Sequence, residues 1–194
     1  MNTKITAIGF ATLMLALSSW LPSTAVADQM VDVKMRFAGS FATNIFHVDS
    51  RNGDTVVSSM IHVQAKGNLG TAEIRGFGGR STAPPVFTPN CLGSAGEFLT
   101  FGILENPLVF TFKDLSLLFA KGGSGVVCID LLNPGMSKFE IEIEFTGGRG
   151  RFEGATGVAV IEGEGEDVSA DASFIGETGT IDGWISVPFR GNSD

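Results

Sequence analysis

Tyrosine is absent from this sequence, and histidine and cysteine occur only twice each. Bases are outnumbered, with 13 lysines and arginines against 21 acids, and the net charge of −8 disfavours nucleic acid as a partner. No H-E-x-x-H, C-x-x-C, Walker or G-x-S-x-G string is present. The 26 glycines disfavour a helical bundle, because glycine costs about 1 kcal/mol in a helix interior. With 43% apolar residues, what remains is a glycine-rich all-β domain that can bury a core.

Residues 1–27 have the pattern of a secretory signal peptide. Lys4 supplies a positive start, 5–20 is mostly apolar, and Ala25-Val26-Ala27 is a small-x-small cleavage site. A transmembrane anchor is the alternative, but the run is shorter than about 18 residues and ends in Pro-Ser-Thr. No cysteine follows the run, which disfavours a lipid anchor. We therefore expect an exported, periplasmic or extracellular domain at 28–194 without a membrane span.

The two cysteines, Cys91 and Cys128, both lie in the expected mature domain. An isolated pair in an oxidising compartment most often forms one disulfide. The alternative is a reactive thiol, for which neither residue has a histidine nearby in sequence. We predict the disulfide.

Short runs typical of β-strands recur along the chain, separated by the turn-favouring residues Gly, Asn and Pro. Strands are predicted at 31–41, 55–66, 71–77, 97–104, 108–115, 117–121, 126–132, 138–146, 158–163 and 179–187. The first two are joined by a turn with Asn52-Gly53 at its centre. Residues 79–96, with three prolines, are predicted to be a long loop that covers one barrel mouth and gates it. Eight to ten strands with short links predict a single all-β domain, an antiparallel, eight-stranded closed barrel, with a sandwich as the alternative.

A glycine-rich segment at 147–157 separates two of these strands. Its glycines are suited to positive-φ turn positions, and Phe152 is its only large apolar side chain. We interpret it as a structural turn that Phe152 anchors to the core; no helix pattern follows it, which disfavours a phosphate-binding loop. The predicted turn residues are Gly147, Gly148, Gly150, Phe152, Gly154 and Gly157.

The string Gly-Gly-x-Gly-x-Phe-x-Gly-Ala-Thr-Gly at 147–157 resembles the allene oxide cyclase and dirigent barrel superfamily, most closely its secreted bacterial members of unassigned function. Cys-Ile-Asp-Leu at 128–131 and Thr-Gly-Thr-Ile at 178–181 support the resemblance, which covers roughly 97–187. It implies a calycin-like, eight-stranded antiparallel barrel, trimeric in many plant members. No catalytic residue of the plant cyclases carries over, because their positions do not align with this sequence.

Twelve of the 21 acids lie in the last third of the chain, at 138–194. Glu140, Glu142 and Glu144 alternate with Phe139, Ile141, Ile143 and Phe145, so the acids share one strand face. With the turn centred near Arg151-Phe152, we expect Glu142 opposite Glu162 and Glu140 opposite Glu164. A solvated face is the leading interpretation. A Ca²⁺-type or basic-partner site at Glu140, Glu142, Glu162 and Glu164, and acid–base catalysis inside the barrel, are the alternatives.

The remaining chemistry is sparse. His47 and His62 are expected to lie far apart along the first hairpin, which disfavours a two-histidine metal site, and no cofactor is predicted. Apolar strands suggest a lumen that holds one small ligand or is filled by side chains. The candidate ligand-binding residues are Phe98, Leu108, Phe110, Phe112 and Asp114.

Three functions follow from this pattern. The leading hypothesis is binding of a small apolar molecule in the barrel without catalysis. A cyclase, isomerase or dirigent-like enzyme using the same cavity is the second, and a structural or interaction protein with a filled barrel is the third. An acid facing inward beside a cavity favours the enzyme, whereas an apolar cavity favours the binding protein.

Overall fold

The computed structural model describes residues 28–49, 55–81, 84–105, 107–168 and 174–188. The predicted leader and the Asn52-Gly53 turn lie outside these residues. Ten strands account for most of the described chain: β1 Asp28–Asp49, β2 Thr55–Gly67, β3 Gly70–Ser81, β4 Val86–Cys91, β5 Ser94–Glu105, β6 Leu108–Phe112, β7 Leu117–Asp130, β8 Met136–Arg149, β9 Thr156–Asp167 and β10 Phe174–Pro188. A three-residue 3-10 helix, Gly150–Phe152, joins β8 to β9.

Eight strands close into an antiparallel barrel, which confirms the predicted fold class. The order around the barrel is β2-β1-β10-β9-β8-β7-β6-β3, and β3 returns to pair with β2. Most neighbours in the barrel are also neighbours in sequence, because antiparallel strands need only hairpin-length links. Within the described residues, no helix has the length and apolar character to cross a membrane.

Two strands pair with both β3 and β7: β6, which belongs to the closed barrel, and β5, which is added where β6 ends. β6 pairs with the first halves of β3 and β7. β5 pairs with the end of β3 and, through Phe98–Ile103, with the second half of β7. β4 adds to the edge of β5 away from β7, and these two strands are outside the eight that close the barrel.

The prediction of a long loop at 79–96 is wrong. Most of this segment is strand, since β3 ends in it, β4 lies within it and β5 begins in it. A tight turn at Leu92-Gly93, both with positive φ, joins β4 to β5. Pro89 is tolerated because it lies at a bulge in an edge strand, where no ladder N–H is needed. The gating role stays a prediction.

The core follows the expected alternation in β8. Phe139, Ile143 and Phe145 are buried, whereas Glu142 and Glu144 are exposed on the opposite face. The largest fully buried side chains are Phe110, Phe145, Leu118, Ile143, Ile181, Ile185 and Val33. The inward faces of the strands therefore meet in one apolar core.

The predicted disulfide is confirmed. Cys91, at the end of β4, is bonded to Cys128 of β7, with Cα atoms 6.1 Å apart. Cys128 is paired with Thr100 of β5, which lies between the two bridged strands. Phe98 and Val126 pack with the disulfide in a small cluster separate from the main core. The bridge thus ties the outside strand β4 to the barrel wall.

Candidate functional site

One end of the barrel is closed by the glycine-rich turn. Phe152 is only 4% exposed, which confirms its predicted burial, and its ring centroid lies 4.7 Å from that of Phe112. The Arg151 guanidinium lies 4.6 Å from the Phe152 ring centroid and 4.7 Å from the Phe112 ring centroid. Its Nη2 donates to the Leu69 carbonyl at 2.6 Å, and its Nε lies 3.3 Å from Asp114 Oδ2. The arginine and two rings seal this end.

The backbone conformation of the turn requires a glycine at position 150. Gly150 has φ +66°, and a Cβ there would come within 2.7 Å of Ser116 Oγ. That hydroxyl accepts a hydrogen bond from the Arg151 N–H at 3.3 Å. The Ser116 N–H in turn donates to Asp114 and holds the pKa of this exposed carboxyl below its ordinary value. The connection is therefore shorter than predicted: Gly150, Phe152 and Gly154 lie in it, whereas Gly147 and Gly148 belong to β8 and Gly157 to β9.

The half of the barrel next to this turn is filled with side chains. Leu108, Phe110 and Phe112 of β6 are between 0% and 4% exposed. The Phe110 ring meets the Phe145 ring edge-on at a centroid distance of 6.0 Å. These side chains therefore pack into the main apolar core of the barrel.

The five candidate ligand-binding residues do not share one site. Leu108, Phe110 and Phe112 belong to the main core, whereas Phe98 packs against the disulfide. Asp114 is exposed at the closed end, beside Arg151.

A pair of phenylalanines separates this filled half of the lumen from the half that is farther from the glycine-rich turn. Phe37 of β1 and Phe139 of β8 have ring centroids 6.3 Å apart. Their rings occupy the space over Gly179 and Gly163, where an added Cβ would lie 2.7 Å and 2.5 Å from a ring Cζ. These two glycines let the rings meet across the barrel and form a floor.

Above this floor an acid faces the lumen. Glu177 lies two and four residues before Gly179 and Ile181, and the register of β10 with both neighbours is continuous, so Glu177 shares the inward face of the buried Ile181. Its partners are Gly39 of β1 and Gly165 of β9. Neither partner has a side chain of its own, and the space over them is occupied by neighbours: Val63 lies against Gly39, and Ser137 Oγ and Ile175 lie against Gly165.

Strand pairing extends this position into a row that we name the Glu177 row. Going outward from Glu177, the paired residues are Gly165, Ser137, Ile129, Leu99 and Phe87. Leu99, Ile129, Ser137 and Glu177 are half-buried, and Phe87 on β4 is 57% exposed. The row thus runs from an exposed apolar side chain at the barrel edge to a carboxyl inside it.

Burial raises the pKa of Glu177 from its ordinary value of 4.5 to about 7. Loss of water is the only cause, because no hydrogen bond or ion pair from the described residues reaches the carboxyl. An acid without a counter-charge in such surroundings is typical of a functional position. The only sequence signal is a weak one: the β10 alternation Ile185, Gly183, Ile181, Gly179 continues to Glu177, but half of it is glycine and the predicted strand began at 179.

The acidic rows of β8 and β9 share the outer face, with a register that differs from the expected one by two residues. Glu140 is paired with Glu162, Lys138 with Glu164 and Glu142 with Val160. Lys138 Nζ lies 3.4 Å from Glu164 Oε1, and Ser124 donates to Glu142 at 3.2 Å.

Glu140, Glu162 and Glu164 line a groove, and Glu142 lies outside it. It has a volume of about 440 Å³, and its walls include Leu92, Thr178 and Thr180. Among the described residues, no group of three or more potential metal ligands is found there or elsewhere. Since Glu142 and Glu162 are not partners, the four acids of the candidate site are spread along the surface.

The histidines lie apart, as expected. His47 is paired with Val57 and His62 with Ser40 along the β1–β2 hairpin, and the His47 side chain lies outside the described part. His62 Nε2 lies 2.6 Å from Glu73 Oε1 on the surface. Hydrogen bonds from Arg75 and then His62 hold the pKa of Glu73 below its ordinary value. His62, Glu73 and Arg75 thus form a hydrogen-bonded group on the protein surface.

Comparison with known proteins adds no assignment. No protein-family model, curated protein or solved structure matches the chain. The resemblance to the allene oxide cyclase and dirigent superfamily therefore stays a prediction, and the function must be argued from the barrel itself.

Proposed function

We propose that this protein binds a small, mostly apolar molecule at the end of the barrel opposite the glycine-rich turn, without catalysis. The observation that carries the proposal is the contrast between the two ends. One end is sealed by Phe152, Phe112 and Arg151, whereas inward-facing apolar side chains at the other end, including Leu99 and Ile129, are only half-buried. Concave apolar surface with a few polar groups is the usual form of a ligand site.

Two further features support a role outside the cytoplasm. The leader pattern at 1–27 predicts export, and the Cys91–Cys128 disulfide is of the kind that persists in oxidising compartments. An exported carrier for a poorly soluble molecule fits both. Trimerisation, which the resemblance implies, is part of the same proposal and is tested by the mass of the purified protein in solution.

Binding is tested by titrating the protein with Nile red, a neutral apolar dye whose fluorescence rises in apolar surroundings. We expect saturable binding that Leu99→Gln and Ile129→Gln each weaken by about fivefold or more, since a buried apolar contact contributes on the order of 1 kcal/mol. Val158→Gln is the matched control, because Val158 is 47% exposed on the outer face of β9. No saturable binding, or an equal loss in the control, contradicts the proposal.

An enzyme using the same end is the second candidate, and Glu177 is the observation that favours it. A carboxyl with a pKa near neutrality is suited to general acid–base chemistry at physiological pH. Ser137 is the only other residue with a polar side chain on the Glu177 row. Recovery of a chemically altered ligand after incubation, abolished by Glu177→Gln, supports the cyclase or isomerase; recovery of unchanged ligand supports the binding protein.

A further inference from the structure

The ligand's chemistry can be narrowed from the surroundings of Glu177. Glu177 is half-buried on the inward face of β10, and its partners on both neighbouring strands are glycines. Burying a carboxylate without a partner is costly, so an acid in this position is stabilised by whatever supplies a counter-charge. Among the described side chains that share its row, none is basic.

The row also sets the shape of the ligand. Adjacent strands are about 4.8 Å apart, so Ser137 lies about 10 Å and Leu99 about 19 Å from Glu177 along the curved wall. The end next to Glu177 is polar, with the Ser137 hydroxyl and the carboxyl, and the remainder is apolar through Ile129, Leu99 and Phe87. A molecule lying along this row has one polar end and an elongated apolar tail.

We propose that Glu177 is the polar anchor of this site and that the preferred ligand is an alkylamine-like molecule, whose ammonium group lies at Glu177 while its tail lies over Ile129 and Leu99. This inference rests on the proposed binding function and specifies its ligand class. An ammonium group supplies the missing counter-charge and donates charge-assisted hydrogen bonds to the carboxyl. A fatty acid places a like charge there, and a fatty alcohol supplies only a neutral donor.

The experiment compares decylamine, decanol and decanoate as competitors of Nile red on the full mature chain, below their micelle-forming concentrations. For the wild type we expect decylamine to displace the dye at a concentration at least about tenfold lower than decanol, with decanoate weakest. In Glu177→Gln, which keeps the side-chain size, amine and alcohol should displace the dye within about threefold of each other.

Glu166→Gln is the matched control. Glu166 lies one residue from Gly165 on the same strand, is exposed, and is paired with Gly176 and Met136 on the outer surface. It removes the same charge from the outside of the barrel, so it should keep the preference for the amine. If Glu166→Gln abolishes the preference for decylamine over decanol as completely as Glu177→Gln does, the amine is attracted only by the protein's net negative charge. The inference is then wrong.

The remaining outcomes separate the inference from the proposed function. If Nile red binds and decanol displaces it, but decylamine is no better, the binding function stands and the ligand class is wrong. If Glu177→Gln keeps the tenfold preference, the anchor is another group. If Nile red does not bind to the wild type, the binding function fails and the inference fails with it.

Discussion

Glu140 of β8 lies directly opposite Glu162 of β9 on the outer face of the barrel. Side chains paired in this way have Cβ atoms about 5 Å apart, so two carboxylates there repel each other. The adjacent pair on the same strands is compensated, because Lys138 lies opposite Glu164. The repulsion between the Glu140 and Glu162 carboxylates is therefore not offset by a base within the same pair.

Glu140→Gln should raise the free energy of unfolding at low salt by a few tenths of a kcal/mol, because it removes this repulsion. Glu142→Gln is the control: Glu142 lies opposite Val160 and accepts a hydrogen bond from Ser124. Urea unfolding measures both. The gain should disappear at about 1 M NaCl, where charges are screened beyond about 3 Å. An equal gain in both variants would show that the pairing is irrelevant.

Divalent cations should not recognise these acids specifically. Since the described residues contain no group of three or more metal ligands, Ca²⁺, Mg²⁺ and NaCl at matched ionic strength should shift the melting temperature alike. A rise that only Ca²⁺ produces would restore the metal site considered from the sequence.

Phe152→Ala should lower the free energy of unfolding by about 3–5 kcal/mol, the usual cost of deleting a buried aromatic ring. The ring is 4% exposed and packs on Phe112 and Arg151, so its loss opens the sealed end. Phe87→Ala, at a ring that is 57% exposed, should cost far less. The difference in urea midpoints checks the prediction, and equal midpoints would contradict it.

The sequence predicted the structure correctly where its residue pattern was clear. The β8 alternation and the lone Phe152 in a turn of glycines predicted burial correctly, because large apolar side chains dominate both patterns. Cys91 and Cys128 predicted their bond because no other pairing exists.

Glu177 was missed for a physical reason. Gly179 and Gly183 occupy inward positions of β10, and glycine carries no hydropathy signal, so the strand's alternation is weak and the predicted strand began at 179, two residues after Glu177. The acidic register was two residues off because the turn is built on a 3-10 helix, Gly150–Phe152, whose geometry the glycine pattern does not specify.

Cys91→Ser combined with Cys128→Ser should lower the free energy of unfolding by up to about 4 kcal/mol, the chain-entropy estimate for a closed loop of this size. The bridge spans a sequence separation of 37 and holds β4 against the barrel wall. Thiol titration of the denatured, unreduced wild type should detect no free thiol. Two free thiols, or a double variant as stable as the wild type, would contradict the structural role.

The stability of the wild type should fall as the pH rises from about 4.5 to about 7, because of Glu177. Its folded-state pKa of about 7 exceeds the ordinary value of 4.5, so the folded protein binds the proton more tightly than the unfolded chain does. The resulting stabilisation is complete below pH 4.5 and is lost as the pH passes 7. A shift of this size corresponds to about 3 kcal/mol. Gly39 and Gly165 beside it and Ser137 beyond do not titrate in this range, and Asp167, at the end of β9, is exposed.

Glu177→Gln isolates this contribution, since glutamine is neutral at every pH. The free energy of unfolding, measured in urea between pH 4.5 and pH 8, should fall less steeply in the variant, and the variant should be the more stable protein at pH 8. Glu166→Gln, which removes an exposed acid from the outer face of β9, should keep the wild-type slope. If the curves of unfolding free energy against pH are parallel for the wild type and Glu177→Gln, the Glu177 carboxyl is as well hydrated in the folded protein as in the unfolded chain. The end of the barrel that it faces is then open to solvent, and the prediction is wrong.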